Sequence, residues 1–321
     1  MKQDKTFFAQ LITIIFTIIF MGALSAKADI KVVTTIKPLH SLISNVMDGI
    51  GEPSLIIEGS TSPHSFVLKP SHAKLIEQAD IIFWIGEDIE TFMEKPLESI
   101  AKNAKKVSFM ELSSIEKLKF REENIFEHED HDDHGHGEKK DHDDHGDGHE
   151  GHHHGEFDAH IWLDPANAKE MLHEIAHELA DLDPANADKY ESNADNTIKS
   201  IDDMISNVNS SINKDAKFIV FHDAYQYFEK RFGVATAGAL TLNTDVLPGA
   251  KQISEIQEVI AERDIKCIFS EPQFNPKIIE TIAQDTGIKT GVLDPLGSIF
   301  DAGKSQYFTL INDIGNKLKG C

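Results

Sequence analysis

Cysteine is nearly missing from this chain: two residues in 321, Cys267 and Cys321. In an oxidising compartment a pair with no other thiol available reads as one disulfide. It would pin the last residue to the body of the chain, with a loop-closure contribution of about 4 kcal/mol. Two free thiols or a shared metal are the alternatives. Neither cysteine follows the N-terminal apolar run, which excludes a lipid attached there. Cationic side chains are also short, 31 Lys and Arg against 54 Asp and Glu, for a formal charge of −23. That balance excludes nucleic acid as a partner, because phosphates demand a basic surface. It suits a protein that handles cations. A hydrophobic content of 40% excludes wholesale disorder, and the length suggests two domains.

The first 28 residues read as a cleaved export signal. Lys2 and Lys5 precede an apolar run from Phe7 to about Leu24, and Ala26-Lys27-Ala28 fits small-x-small cleavage before Asp29. A transmembrane anchor is the alternative, since the run is near spanning length. The cleavage pattern and the lack of a flanking stop-transfer cluster favour removal. The mature protein is then expected free in the periplasm, not membrane-embedded.

Beyond the signal, β-branched runs alternate with helical patterns, which predicts an α/β fold with mainly parallel sheets. The expected strands are Lys31–Thr35, Ser54–Glu58, Ala79–Ile85, Lys106–Phe109, Ala159–Leu163, Lys217–Phe221, Ile265–Ser270 and Thr290–Leu293. Residues 184–213 contain no glycine and no internal proline, and Ile198, Ile201, Ile205 and Val208 form a helical stripe. We read them as one rigid connector helix of about 45 Å at 1.5 Å per residue. Two shorter helices broken near Asn193 are the alternative. The connector divides the chain into an N-terminal lobe, 29–183, and a C-terminal lobe, 214–321.

Residues 122–156 lack the apolar side chains that would repay ordering, so a loop without packed structure is expected. They carry ten histidines instead: His128, His131, His134, His136, His142, His145, His149, His152, His153 and His154. Imidazoles interleaved with carboxylates at variable spacing make many weak sites for divalent metals. A solvated acidic loop or a pH-responsive tract is the plainer reading, but acidity alone does not account for the histidines.

Open α/β sheets bind ligands beyond the carboxyl ends of their strands. By that rule His64 and His222 stand out, with Asp294 and Glu271 after two further strands. His160 fits less neatly, at the start of its run. Each alone reads more simply as a structural residue. Three imidazoles and a carboxylate drawn from both lobes form a four-coordinate set suited to Zn²⁺ in an interlobe cleft. His173-Glu174-Ile175-Ala176-His177 matches the H-E-x-x-H metalloprotease pattern. What is missing is the third ligand: the metzincin glycine and histidine positions hold Ala180 and Asp183. The pair is read as the solvent side of an amphipathic helix.

The mature chain resembles the zinc- and manganese-binding cluster of ABC solute-binding proteins, specifically the zinc-binding members of Gram-negative bacteria. The resemblance rests on Ile36-Lys37-Pro38-Leu39-His40, Pro63-His64-Ser65-Phe66, Lys69-Pro70-Ser71 and Ala79-Asp80-Ile81-Ile82-Phe83-Trp84. It continues through the histidine-rich insert, Asp158-Ala159-His160-Ile161-Trp162-Leu163 and Phe221-His222-Asp223-Ala224-Tyr225. Ser270-Glu271-Pro272-Gln273-Phe274 and Leu293-Asp294-Pro295-Leu296-Gly297 complete it. It implies two α/β lobes on one long helix, with Zn²⁺ as cargo between them. The implied ligands are His64, His160 and His222, with Asp294 as fourth. Some members use a glutamate before the first histidine, or water; here that residue is Pro63. Manganese members place a carboxylate where this chain has His222. His40 and Glu271 are possible supporting residues behind the ligands. A second site that some members build with another histidine is in doubt, because the matching residue is Ala239. The two cysteines match a disulfide of related members. The implied partners are an ABC permease and, through it, its ATPase, served by a monomeric carrier and not an enzyme. Weak capture by the loop would precede transfer to the cleft. A secreted zinc protease, a manganese carrier and a metal buffer or adhesin are the rival readings.

Overall fold

The computed structural model describes residues 30–125, 155–242, 244 and 248–321. The signal segment, the expected mature start and the ten loop histidines lie outside the described residues. Short runs rich in Val, Ile and Phe form two four-stranded sheets. The first has the order β2-β1-β3-β4, with β1 Val32–Thr34, β2 Ser54–Leu55, β3 Ile81–Trp84 and β4 Lys105–Ser108. The second repeats that order as β6-β5-β7-β8, with β5 Phe218–His222, β6 Ala239–Thr241, β7 Cys267–Ser270 and β8 Lys289–Val292. Every pairing is parallel, so helices must cover the faces and the central strands are apolar on both sides. β1, β3 and β5 are accordingly buried throughout.

The first sheet carries α1 (Lys37–Val46), α2 (Pro70–Gln78) and α3 (Thr91–Ser99); the second carries α6 (Gln226–Phe232), α7 (Ala250–Glu262), α8 (Lys277–Thr286) and α9 (Gln306–Leu318). Between the sheets run α4 (Pro165–Leu182) and the longer α5 (Ala187–Ser211), which pack on each other. Two differences from expectation concern the middle of the chain. The connector opens with a 3-10 turn, Pro184–Asn186, so α5 itself has 25 residues and spans about 38 Å. It runs unbroken through Asn193, whose amide donates to Val46 O at 2.8 Å and Asp48 O at 3.0 Å. A side chain that looked like a break is thus spent on anchoring the helix to the end of α1.

The second difference is the expected strand Ala159–Leu163, which is a 3-10 turn, Ile161–Leu163, leading into α4. Ala159, Ile161, Trp162 and Leu163 are all buried, and a short apolar run buried on every side reads alike in either conformation. Local bonds select the turn: Asp158 Oδ1 accepts from His160 N at 2.9 Å, and Asn167 Nδ2 donates to Ile161 O at 3.3 Å. Asp164 then caps α4 through Ala166 N at 2.8 Å. The strand that sequence reading lacked, β6, has only three residues.

Polar bonds stitch the sheets together along their facing ends. Trp162 Nε1 donates to Pro295 O at 2.7 Å, and Lys37 Nζ donates to Ser298 O at 2.6 Å and Phe300 O at 2.9 Å. Arg231 of α6 grips Asp164 with two bonds of 2.6 and 2.8 Å. The C-terminal helix α9 packs back on α1 and α5, and residues 31–321 form one compact unit. Cys267 and Cys321 are joined as a disulfide. Among the described residues no helix is long and apolar enough to cross a membrane.

Candidate metal centre

Three histidines from three separate segments converge where the two sheets face each other. His222 ends β5. His160 caps the 3-10 turn before α4. His64 sits in a 3-10 turn, Pro63–Ser65, whose preceding residue Ser62 accepts from His64 N at 3.3 Å. Each offers one nitrogen, and the three nitrogens lie within 4.8 Å of one another. Among the described residues they form the one such group of metal-ligating side chains. His160 and His222 are 4% exposed, and their Nε2 atoms stand 3.3 Å apart. Ile89, Trp162, Phe274 and Leu296 line the same recess, which dries the site and strengthens any charge interaction within it.

Carboxylates behind the rings determine which nitrogen faces inward. His160 Nδ1 lies 2.6 Å from Asp158 Oδ1, and His222 Nδ1 lies 2.7 Å from Glu271 Oε1. A carboxylate can only accept, so each Nδ1 carries a hydrogen, and in the neutral imidazole this leaves the Nε2 lone pair toward the neighbouring ring. Glu271 also accepts from His222 N at 3.3 Å, which ties the ligand to the end of its own sheet. Burial disfavours charge on His222, but Glu271 in contact outweighs it and holds the imidazole above its ordinary pKa. Next in sequence, burial lifts the Asp223 carboxyl to about 7 against the opposing pull of Arg121. Arg121 reaches across from the first half of the chain to Asp223 at 2.7 Å and to Glu229 at 2.9 Å.

Glu271 contacts the ring of His222. Asp294 is not brought into the group of three nitrogens. Its Oδ1 accepts from Gln273 Nε2 at 2.8 Å and Leu296 N at 3.1 Å, and its Oδ2 from Ser298 N at 2.6 Å and Ser298 Oγ at 2.7 Å. Four donors occupy the carboxylate and turn it into the anchor of its own loop. His40 also falls elsewhere: its Nε2 lies 3.2 Å from Pro53 O and its Nδ1 3.4 Å from Ser44 Oγ. It lines a different recess, with Asp48, Glu52 and Lys304, because α1 turns it away from the cleft. His173 and His177 are exposed on α4. Ala239, at the doubtful second position, is fully buried in β6.

Sequence reasoning missed Asp158, Arg121, Gln226 and Tyr227 as parts of the site. The D-x-H spacing of Asp158 and His160 was the one local signal available. The others act over 68 to 108 positions of sequence separation and leave no pattern.

Two parallel α/β lobes, one long helix between them and a buried imidazole cluster at their junction define a bilobal metal-binding solute receptor. The sequence profile described as "Zinc-uptake complex component A periplasmic" (ZnuA) matches residues 32–321. The chain therefore belongs to the ZnuA family of periplasmic zinc-uptake components. It is 44% identical over 315 residues to the high-affinity zinc uptake system protein ZnuA of Brucella abortus strain 2308, covering 94% of each chain. It is 33% identical over 316 residues to the protein of that name from Yersinia pestis, covering 92% of each. Among solved structures, a crystal structure of ZnuA superimposes with a TM-score of 0.72 at 20% identity, over 91% of this chain and 98% of that one. The periplasmic zinc-binding protein TroA from Treponema pallidum gives 0.71 at 18% identity, with the same coverage. At those identities the structures speak for the fold alone.

Proposed function

We propose that this chain captures Zn²⁺ in the cleft through His64, His160 and His222 and delivers it to the permease of an ABC importer driven by its ATPase. The reading is carried by the spacing of the inward nitrogens. A tetrahedral ion about 2.05 Å from each of two imidazole nitrogens separates them by roughly 3.3 Å, and His160 Nε2 and His222 Nε2 lie 3.3 Å apart. An all-imidazole set favours Zn²⁺ over manganese, which prefers oxygen. With Asp294 occupied by its own donors, we assign the fourth position to solvent. That replaces the expectation of a closed four-ligand site and suits a cargo ion, which a receiving ligand must be able to approach.

The many polar bonds between the halves support small lobe movements rather than wide hinge opening. Residues 122–156 are assigned an auxiliary collecting role on their composition. Export to the periplasm, a monomeric state and the absence of enzymatic activity belong to the same proposal. Among the described residues His173 and His177, both exposed, belong to no group of three metal-ligating side chains, which supports a carrier over a protease.

The test is competitive zinc titration against a chromogenic chelator. It compares the mature protein, His64→Ala, His160→Ala, His222→Ala and a variant lacking residues 126–154, which spares Asn124 and Ile125 on β6. One tight site that is lost in each point variant and kept without the loop is expected. Tight binding that vanishes with the loop and survives all three substitutions would make the protein a metal buffer instead.

A further inference from the structure

We propose that Gln226, a second-lobe residue at the start of α6, is a positioning residue for zinc that acts through Asp158 on His160; the inference rests on His160 being a ligand. Asp158 belongs to the first half of the chain and is fully buried. Its Oδ1 is taken by His160, through N at 2.9 Å and Nδ1 at 2.6 Å. Its Oδ2 accepts from Gln226 Nε2 at 2.8 Å. The same Nε2 donates to Lys119 O at 3.3 Å. Both partners of the amide nitrogen are acceptors, so the amide can face them only with its NH₂ group. A second bond from the next residue runs the same way: Tyr227 Oη donates to Asp158 O at 2.6 Å and accepts from Leu118 N at 2.9 Å.

The consequence is a rigid loop of bonds that closes on the metal site from both sides. His222 ends β5, and Gln226 opens α6 four residues later. α6 therefore moves with His222. Through Gln226 and Tyr227 it holds the side chain and the carbonyl of Asp158, and Asp158 orients the ring of His160. The two histidines whose Nε2 atoms meet at 3.3 Å are thus set against each other by one chain of contacts that crosses between the lobes. Moving α6 away from Asp158 would remove a donor from a buried carboxylate and free the His160 ring, so ligand geometry is made contingent on lobe position. Release of the ion and separation of α6 from Asp158 become the same event.

Direct partners of metal ligands are worth about 10- to 100-fold in affinity; Gln226 acts one bond further out, through Asp158, so Gln226→Leu should weaken zinc binding by about 10-fold, the low end of that range. Losing a donor to the buried Asp158 carboxylate should also lower the melting temperature of the metal-free variant, so affinity is compared well below the melting range of both proteins. The decisive measurement is a double-mutant cycle with Asp158→Asn, because residues that act through one another are not additive. In the Asp158→Asn background, Gln226→Leu should cost less than about twofold. Retention of wild-type affinity by Gln226→Leu, or the same loss in both backgrounds, overturns the relay. If Gln226→Leu does not fold, Gln226→Met takes its place in the cycle; failure of both to fold also overturns it, since Gln226 would then be structural. His160→Ala separates the two levels of inference. If it keeps tight zinc binding, the ligand assignment itself is wrong. If it loses zinc while Gln226→Leu does not, the assignment stands and only the relay falls.

Discussion

Glu90 should make the metal-free protein lose stability as the pH rises from about 4.5 to 7, and Glu90→Gln should abolish that part of the loss. The carboxyl is fully buried, on the residue that precedes α3. One oxygen, Oε2, accepts from Ile85 N at 2.8 Å and Gly86 N at 3.3 Å, and the Thr35 hydroxyl stands beside the carboxyl. Burial lifts its pKa from 4.5 to about 7, against the Thr35 hydroxyl and the backbone donors that favour the anion. The folded state therefore holds a proton that the unfolded chain gives up across this window. Stability contributed by the proton is fully present below the unfolded value and is lost as the pH climbs through the folded one. The gap between 4.5 and about 7, at about 1.36 kcal/mol for each pH unit, puts the difference near 3 kcal/mol. Glutamine keeps an acceptor for the two amides and carries no titrating proton. Urea melts of both proteins between pH 4.5 and 8, in chelator to keep metal linkage out, give the contrast directly. The wild-type curve should fall relative to Glu90→Gln by about 3 kcal/mol over that interval. Parallel curves, or a wild type that gains on the variant as the pH rises, would refute a buried protonated carboxyl.

Three further substitutions test separate parts of the structure. A Cβ built at Gly238 lies 2.6 Å from Asn124 O, where residues 124 and 125 bind the edge strand β6 through Ala239 N at 2.9 Å. Gly238→Ala should force that segment away and destabilise by about 1–3 kcal/mol in urea melts; no change would mean the segment is not docked on β6 in solution. Cys321→Ser opens the 54-residue disulfide loop and should cost about 2–4 kcal/mol, read as a lower urea midpoint that matches the reduced wild type. Asp294→Asn disturbs the four-donor anchor and should lower stability by about 1–3 kcal/mol, yet cost less zinc affinity than any of the three histidine substitutions. A zinc loss equal to that of His222→Ala would return Asp294 to the metal.

How much of this was legible in the sequence depends on the distance over which each feature is encoded. Seven of the eight strands announce themselves as β-branched runs because a buried parallel strand must be apolar on both faces. β6 does not, being three residues long and bonded on one side to β5 and on the other to Asn124, a partner no local pattern reveals. The run at Ala159–Leu163 misleads for the opposite reason: burial makes it apolar, while the choice of turn over strand lies in Asp158 and Asn167. The place of His222 was legible from position alone, as the residue at the carboxyl end of a central strand. His160 needed the family resemblance, since its turn is not a strand end. Asp294 shows the limit of positional reasoning. It follows a strand as a ligand should, but whether a carboxylate faces an ion or its own loop depends on donors from Gln273, Leu296 and Ser298. The same holds for Gln226, whose role exists only because folding brings an amide on α6 to a carboxylate 68 residues away. The histidines that converge are thus written in residue type and spacing, whereas the bonds that join the lobes around them, such as Gln226 to Asp158 and Trp162 to Pro295, are written in tertiary contacts.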